Sequence, residues 1–222
     1  MDTGPDGLKR LYRHRFDEAS REAKQRLWKI LVESFFQKYL KPDASVLDLG
    51  CGFGEFLNHA RCARRVGVDL NPEATRYLAK GVEFLPGDVC QPTPLPDASI
   101  DLVFSSNLME HLPSKESAEQ MLLEARRVLK PGGQVVLMGP NLRFLPGEYW
   151  DFWDHRLPIT DRSLAEVLGS LDFSVVERHA RFLPYTTRSA LPQAGWLVRL
   201  YLHLPLAWGF FGRQFLLRAI KP

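Results

Sequence analysis

One short run of residues combines an acidic side chain with three glycines at alternating positions. Asp48 ends an apolar segment, and Gly50, Gly52 and Gly54 follow it. Glycines spaced in this way let the backbone turn sharply, and without Cβ atoms they let a ligand lie against the chain. Dinucleotide-binding loops have the spacing G-x-G-x-x-G, but here Glu55 stands where the last glycine would be and would meet a pyrophosphate. The run therefore predicts a loop for a ligand with a cationic end.

A second acidic residue follows the next apolar segment. Asp69 lies roughly twenty residues beyond the start of the glycine loop, which is the spacing of a carboxylate that binds a ribose. Its two oxygens can accept hydrogen bonds from both ribose hydroxyls. Asn71 is better placed than Asp69 to cap the helix that Pro72 would begin. Asp69 is therefore predicted to bind a ribose, with Leu70 packing against the attached base.

The segments around these residues alternate between strands and helices. Apolar runs bounded by turn residues predict strands at 45–49, 65–70, 82–85, 100–105, 134–138, 173–177 and 215–220. Apolar periodicity and capping residues predict helices at 17–40, 55–61 and 114–129, and another that begins at Thr160. This alternation predicts a doubly wound α/β sheet that binds its ligand at the carboxyl ends of the strands.

These motifs together resemble the class I S-adenosylmethionine-dependent methyltransferases. The likeness extends over roughly residues 47–138 and includes the D-x-G-x-G-x-G run, Asp69, Gly87-Asp88-Val89 and the Arg-Val-Leu-Lys-Pro-Gly-Gly run at 127–133. It implies a Rossmann-like sheet of seven strands, mostly parallel with an antiparallel last strand. It also implies S-adenosyl-L-methionine as the cofactor. The C-terminal third is similar to methyltransferases associated with bacterial polysaccharide biosynthesis.

The resemblance assigns roles to residues along the carboxyl edge of the sheet. Asp88 is expected to accept a hydrogen bond from the adenine amino group while the backbone N–H of Val89 meets a ring nitrogen. A turn-forming aspartate is the alternative for Asp88. Ser105 and Ser106 are expected to hold the methionine part. The expected cofactor-binding residues are Asp48, Gly50, Cys51, Gly52, Gly54, Asp69, Leu70, Asp88, Val89, Ser105 and Ser106.

Some acceptors are disfavoured by what the sequence lacks. The fourth predicted strand ends in Ser-Ser-Asn-Leu at 105–108, unlike the Asn/Asp-Pro-Pro-aromatic motif with which similar enzymes hold the amino groups of bases. The chain also has no Pro-Cys pair of the kind that methylates pyrimidines at C5. Its charges alternate in sign along the predicted helices instead of forming basic blocks. Nucleic acid is therefore not expected as a partner, and a small-molecule or glycan acceptor is.

Aromatic and acidic residues are interleaved in the loop at 140–159. Aromatic rings can stack on sugar rings while carboxylates bind sugar hydroxyls. Anchoring of the loop to the core is the alternative for the large aromatic residues. The predicted substrate-binding residues of this loop are Tyr149, Trp150, Asp151, Trp153 and Asp154.

Two histidines are candidates for the general base of an O-methylation. Transfer to an alcohol requires a nucleophile held near the methyl carbon and removal of its proton. His111 or His155 is predicted to take that proton, because imidazole accepts one near neutral pH. Glu110 is interpreted as a helix-side or buried hydrogen-bonding partner and not as a catalyst. His14 is predicted as a further substrate contact, with a solvated side chain as the alternative. The acidic residues and histidines show no ligand spacing, so no metal site is predicted.

A long apolar segment spans 180–213. Trp196, Leu197, Leu200, Tyr201 and Leu204 repeat in it at helical spacing. It is interpreted as a substrate lid or a homodimer contact, and less readily as a peripheral membrane contact through residues 194–211. Charged and helix-breaking residues interrupt the segment, so it is not predicted to span a membrane.

Composition sets the broad class of the chain. The 222 residues are 45% hydrophobic and 25% charged, with a formal net charge of +3. These values favour one domain over 1–222, with an N-terminal helical cap at about 1–41 and an insertion at about 180–213. Cys51, Cys62 and Cys90 form neither a disulfide framework nor a zinc motif, which favours a cytoplasmic location.

The sequence therefore predicts a methyltransferase that acts on oxygen of a small or carbohydrate-containing acceptor. One alternative is an acceptor that is a lipid, a quinone or a secondary metabolite. Another is a subunit that binds the cofactor without catalysing a reaction and works through a partner.

Overall fold

The computed structural model describes residues 18–185 and 194–222. The strands are β1 (Ser45–Leu49), β2 (Arg64–Asp69), β3 (Val82–Pro86), β4 (Ile100–Ser106), β5 (Leu129–Pro140), β6 (Ser174–His179) and β7 (Gln214–Ile220). The α-helices are α1 (Glu18–Ser34), α2 (Lys115–Val128), α3 (Asp161–Ser170), α4 (Gly195–Leu202) and α5 (Pro205–Phe211). Short 3₁₀ helices lie at Phe36–Tyr39, Pro72–Arg76, Met109–His111, Leu142–Phe144 and Glu148–Asp151.

The strands form one sheet in the order β3-β2-β1-β4-β5-β7-β6. The pairs among β1 to β5 are parallel, whereas β7 runs antiparallel to both β5 and β6. The predicted doubly wound sheet with an antiparallel last strand is thereby confirmed. The strand order reverses between β1 and β4, where ligands of such sheets bind at the carboxyl ends of the strands.

Local signals account for several element boundaries. Ser114 caps α2 by accepting a hydrogen bond from Ser117 N, and Thr160 caps α3 in a capping box with Ser163. Asn71 caps the helix at Pro72–Arg76, as predicted, although that helix is of the 3₁₀ type. Each cap satisfies backbone N–H groups that the first helical turn leaves without a partner.

Three predicted elements differ from the structure. Residues 55–61 form turns instead of a helix, because the Asn58 side chain bonds to the backbone of Phe53, Tyr77 and Ala79 and competes with regular helix bonds. The N-terminal helix ends at Ser34 and a 3₁₀ turn follows it. The fifth strand was predicted at 134–138 but begins at Leu129, because Lys221, beyond β7, pairs with Gly132 and Gly133.

Apolar side chains fill both faces of the sheet. One face packs against α2 and α3, and its buried residues include Leu47, Met121 and Leu164. The other face packs against α1, α4 and α5, where Phe56 stacks on Phe104 with ring centroids 3.9 Å apart. The described residues, 18–185 and 194–222, include no helix with the length and apolarity needed to cross a membrane.

Candidate cofactor and acceptor site

The glycine loop leaves the carboxyl end of β1 with a left-handed backbone at alternate residues. The φ angles are +75° at Gly50, +53° at Gly52 and +75° at Gly54. Residues with a side chain rarely adopt these angles, because the Cβ atom approaches the following carbonyl oxygen. The alternation seen in the sequence is therefore a requirement of this turn.

Two of these glycines also leave no room for a side chain. A Cβ atom on Gly54 would lie 2.5 Å from Leu78 Cδ2, and one on Gly50 would lie 2.8 Å from Leu108 Cδ1. The contact at Gly50 places Leu108, and the turn that follows it, directly beside the loop. These contacts show that the loop packs closely against Leu108 and Leu78, which helps to fix its shape.

Asp69 joins the glycine loop to the end of β2. Its Oδ2 accepts a hydrogen bond from Gly52 N at 2.8 Å, and its Oδ1 accepts one from Asn71 N at 2.8 Å. Burial raises the pKa of Asp69, and the two backbone N–H groups act against that rise. Each carboxylate oxygen retains a second lone pair for a ligand hydroxyl. The predicted ribose contact fits this geometry, and the carboxylate also fixes the loop.

Two more carboxyl groups lie close to Asp69. Asp48 is buried beneath the loop, and burial raises its pKa well above the usual range, with Glu55 and Asp69 adding to the rise. Glu55 forms an ion pair with Lys24 of α1 at 2.8 Å and accepts a hydrogen bond from Phe53 N. This concentration of acidic groups favours a ligand that brings positive charge to the loop.

The N-terminal half of α1 lies at the ligand edge of the sheet. Gln25 Nε2 donates to Phe53 O at 3.1 Å, which ties the helix to the glycine loop. The Arg21 guanidinium lies 5.8 Å from the Phe53 ring centroid and 5.1 Å from that of Tyr77. The predicted substrate contact at His14 lies outside the described residues, so it stays a prediction.

The remaining predicted cofactor-binding residues differ in how far their side chains are exposed to solvent. Asp88 is exposed and accepts a hydrogen bond from Cys90 N at 2.9 Å, so it makes a turn, while Val89 is buried. The Ser105 hydroxyl is buried and donates to Leu49 O at 2.8 Å, which gives that side chain a structural role. Ser106, by contrast, is partly exposed. Cys51 is buried against Gly67, so only its backbone is available to a ligand.

A histidine and an aspartate meet beside the glycine loop. His111 follows Leu108 in the turn after β4, and its Nδ1 lies 3.3 Å from Asp154 Oδ2 and 3.2 Å from Asp154 O. Its side chain is 27% exposed. Asp154 comes from the loop after β5. A carboxylate that holds one imidazole nitrogen fixes the ring and directs the other nitrogen elsewhere.

The aromatic residues predicted to bind substrate divide into two groups. Tyr149 is fully buried, and its hydroxyl donates to Leu157 O and accepts from Ile159 N, so its prediction as a substrate contact is corrected to an anchor of the loop. Trp150 and Trp153 are 50% and 78% exposed. Asp151 is exposed beside them. These three residues remain predicted acceptor contacts.

The second candidate base lies deeper than the first. His155 is 8% exposed, and its ring stacks on Phe152 with centroids 5.0 Å apart. The His111 and His155 rings are 4.9 Å apart. Glu110, fully buried as predicted, lies beside them, and burial raises its pKa while His111 opposes the rise. Ligand atoms of these three residues lie within 4.8 Å of one another, a cluster that sequence spacing did not reveal.

The sheet order and the glycine loop after β1 define a Rossmann-like fold of the class I methyltransferase type. A family described as a methyltransferase domain matches residues 47–137. A solved S-adenosylmethionine-dependent methyltransferase from Archaeoglobus fulgidus superposes with a TM-score of 0.65 at 22% identity, over 89% of this chain and 94% of that chain. This likeness shows the fold.

Two relatives support the same assignment. A probable S-adenosylmethionine-dependent methyltransferase of Mycolicibacterium smegmatis is 36% identical over 138 residues, which cover 59% of this chain and 52% of the relative. A probable tocopherol O-methyltransferase of Oryza sativa subsp. japonica is 33% identical over 110 residues, 44% of this chain and 29% of the relative. The chain thus spans about half or less of the length of these two relatives.

Residues 47–137 are therefore a methyltransferase domain. The matched family and the relatives support the class I S-adenosylmethionine-dependent methyltransferase recognised in the sequence, with S-adenosyl-L-methionine as its cofactor. The association with polysaccharide biosynthesis stays a prediction.

Proposed function

We propose that this chain transfers a methyl group from S-adenosyl-L-methionine to a hydroxyl oxygen of a small or carbohydrate-containing acceptor. The observation that carries the proposal is the His111–Asp154 pair beside the glycine loop. Leu108, two residues after β4, lies against Gly50 and so joins this pair to the predicted cofactor site.

The cofactor half of the site is formed by backbone and carboxylates. The glycine loop would lie along the cofactor, and Asp69 would bind its ribose. Asp48 and Glu55 would lie near its positive charge. Bound there, the cofactor supplies an activated methyl group on a sulfonium. Because the donor is already activated, the protein mainly has to hold and orient the acceptor.

His111 is the better candidate for removing the acceptor proton. Asp154 holds its Nδ1, which leaves Nε2 as the nitrogen that can accept a proton from a hydroxyl. His155 is more deeply buried and stacked on Phe152, so it supports the position of His111 better than it reaches an acceptor.

Exposed rings favour a carbohydrate in the acceptor. Trp150 and Trp153 carry large apolar surfaces into solvent on the loop that also contains Asp151 and Asp154. Tyr149 anchors this loop, so the two tryptophans are displayed on a fixed base. Flat aromatic faces next to carboxylates suit a sugar ring, which has apolar C–H faces and polar hydroxyls.

A second candidate is a lipid or quinone acceptor, and the surface of α4 and α5 favours it. Trp196 and Leu200 on α4, and Leu206, Phe210 and Phe211 on α5, are exposed apolar residues. Exposed apolar patches of this kind mark contacts with a membrane surface, an apolar ligand or a second subunit. We propose that this surface of α4 and α5 forms a lid over the acceptor or a homodimer contact. If the acceptor is a lipid, the same surface would contact the membrane, and the enzyme would be cytoplasmic.

Two measurements test the proposal. Calorimetry with S-adenosyl-L-methionine should show one binding site per chain. Incubation with radiolabelled cofactor and a panel of sugar nucleotides, glycans and quinols should then label a hydroxyl-bearing acceptor. His111→Gln should lower kcat at least tenfold with little change in cofactor affinity, because general acid–base catalysis typically contributes 10²–10⁴-fold.

The matched control is His179→Gln, which removes a histidine that pairs with Glu177 at 2.9 Å on the far strand β6. It should leave kcat unchanged. Cofactor binding without transfer to any acceptor would favour the non-catalytic subunit. No cofactor binding by the folded chain would contradict a methyltransferase role altogether.

A further inference from the structure

Three side chains with metal-binding atoms converge next to the proposed acceptor position. Glu110 and His111 follow β4, and His155 belongs to the loop after β5. One ligand atom from each lies within 4.8 Å of the other two, and Glu110 Oε1 is 3.9 Å from His111 Nε2. Two imidazoles and one carboxylate are a donor set used for zinc and for iron in proteins.

Backbone hydrogen bonds hold the two contributing loops together. Glu110 O accepts hydrogen bonds from Arg156 N at 2.7 Å and from Leu157 N at 3.1 Å. These bonds place the residue after His155 directly against Glu110. The convergence of the three side chains is therefore built into the main chain and does not depend on chance placement of side chains.

Neighbouring groups fix the rings in the orientation that a ligand needs. Asp154 holds Nδ1 of His111, so Nε2 is the nitrogen on the side of Glu110. A carboxylate behind a ligating histidine is the usual outer partner at metal centres. The His155 ring is held by stacking on Phe152 and by an edge contact with Tyr149, whose centroid is 4.8 Å away.

The carboxylate of the cluster has little positive charge around it. Glu110 is 3% exposed, and within residues 18–185 and 194–222 the ion-pair partner found within 4.0 Å of its carboxylate is the His111 imidazole. A buried carboxylate is costly unless it is paired or coordinates a metal. A dication between the three side chains would supply that charge.

We propose that Glu110, His111 and His155 bind one divalent transition-metal ion such as Zn²⁺, with His111 binding through Nε2. Metal–ligand bonds are about 2.0–2.2 Å for nitrogen and oxygen, so ligand atoms around one ion lie roughly 3–4 Å apart. The Glu110–His111 separation of 3.9 Å already falls in this range, and atoms as far as 4.8 Å apart would have to approach by roughly an ångström. Three protein ligands leave a coordination position open, as in catalytic zinc sites.

The role of the ion rests on the proposed function. His111 is partly exposed while Glu110 and His155 are buried, so the open side of the site faces the acceptor region. An acceptor hydroxyl bound there would be polarised by the ion, which would favour passage of its proton to solvent water as its oxygen accepts the methyl group. The metal would then replace the free imidazole as the group that activates the acceptor hydroxyl.

Calorimetry with Zn²⁺ alone, on protein treated with a chelator and returned to buffer, tests the site without any activity assay. The wild type should bind one ion per chain. Glu110→Gln and His111→Gln should each weaken binding by at least about 100-fold, because each removes a direct ligand. Asp154→Asn should weaken it by about 10–100-fold, the usual cost of losing an outer partner.

His179→Gln is the matched control, because His179 also contacts a glutamate but, within residues 18–185 and 194–222, belongs to no group of three metal-binding side chains. It should bind Zn²⁺ as tightly as the wild type. Circular dichroism identifies any variant that fails to fold. His111→Gln is expected to fold, because the His111 side chain is partly exposed. Equal Zn²⁺ affinity in the wild type, His111→Gln and Glu110→Gln would overturn the site.

The fates of the two proposals can be separated. If the wild type fails to bind Zn²⁺ but still transfers methyl groups in the presence of a chelator, the metal site is overturned and His111 remains the proposed base. Stoichiometric Zn²⁺ binding that requires Glu110 and His111 supports the site even if no acceptor is found. Mg²⁺ should bind more weakly than Zn²⁺, because it prefers oxygen ligands.

Discussion

The glycine loop and the loop after β5 lie at the same edge of the sheet, yet they are built from different parts of the chain. The glycine loop is specified by backbone angles and by contacts that leave no space for a Cβ atom at Gly50 or Gly54. The loop after β5 is specified by side chains, with Tyr149 buried, Trp153 exposed and Asp154 against His111.

A sequence reveals a site formed by the backbone more directly than a site formed by side chains. A backbone requirement restricts the residue type at each position, so glycine spacing reports it directly. A side-chain site depends on which residues the fold brings together, and Glu110 and His155 are far apart in the chain. The glycine loop can thus be predicted from residue spacing, whereas the loop after β5 has to be seen in the fold.

The largest effect should come from Asp69→Ala in the cofactor region. We expect the affinity for S-adenosyl-L-methionine to fall by at least about 100-fold. Hydrogen bonds to a charged group contribute about 1.5–3 kcal/mol each, and the variant removes two expected ribose contacts. Calorimetry measures the change. Gly52 N also loses its acceptor, so unfolding in denaturant should be measured in parallel.

Asp97→Ala is the control for that experiment. Asp97 is an exposed acid that pairs with Arg127 and is remote from the glycine loop in the sheet. Its replacement should leave cofactor affinity unchanged. An Asp69→Ala protein that folds normally and binds with wild-type affinity would remove the ribose role from this carboxylate.

The next effect compares a glycine that the loop requires, Gly54, with a glycine of helix α3 whose conformation does not require glycine, Gly169. Gly54→Ala should lower the free energy of unfolding by about 2–4 kcal/mol, because it combines a left-handed φ with a Cβ atom 2.5 Å from Leu78 Cδ2. Gly169→Ala in α3 meets nothing within 4 Å and should be neutral or stabilising by up to about 1 kcal/mol. Equal costs in urea unfolding would contradict the steric argument.

Most of the fold could be predicted from local patterns. The apolar runs that became β1 and β4, and the caps at Ser114 and Thr160, are readable because the cause lies within a few residues. The turns at 55–61, where a helix was predicted, and the early start of β5 could not be predicted from local patterns. Their causes are Asn58 contacts with residues up to Ala79 and the pairing of Lys221 with Gly132 and Gly133.

The site divides in the same way. Asp69 and the glycines could be assigned from spacing alone. The burial of Tyr149 could not be predicted, because the sequence does not show which aromatic residues of one loop are buried and which are exposed. The Glu110–His111–His155 cluster was missed because its ligands come from two loops that only the sheet order brings together.

A smaller effect distinguishes anchors from contacts within the acceptor loop. Tyr149→Phe should lower the free energy of unfolding by about 1–3 kcal/mol, because Leu157 O and Ile159 N lose their hydrogen-bond partner inside the protein. Trp153→Ala should change stability by less than about 0.5 kcal/mol, because the ring is exposed. It should instead raise KM for a carbohydrate acceptor. The reverse pattern would make Trp153 the anchor.

The smallest effect concerns Asp48, the buried acid beneath the glycine loop. Burial and the nearby Glu55 and Asp69 raise the pKa of Asp48 above its value in the unfolded chain. A carboxyl shifted in this direction stabilises the folded state fully below the unfolded pKa, near 4, and loses that contribution as pH rises through the folded pKa. Asp48→Asn cannot ionise and escapes this loss.

Asp48→Asn should therefore gain stability over the wild type as pH rises from about 4, by on the order of 1 kcal/mol, and match it more closely below pH 4. Its cofactor affinity should fall, because the loop loses an acidic group that is predicted to lie near the cationic end of the ligand. Urea unfolding at pH 4 and pH 8, paired with calorimetry, measures both. A variant less stable at both pH values would show that Asp48 holds the loop together, as Asp69 does, instead of serving the ligand at the expense of the fold.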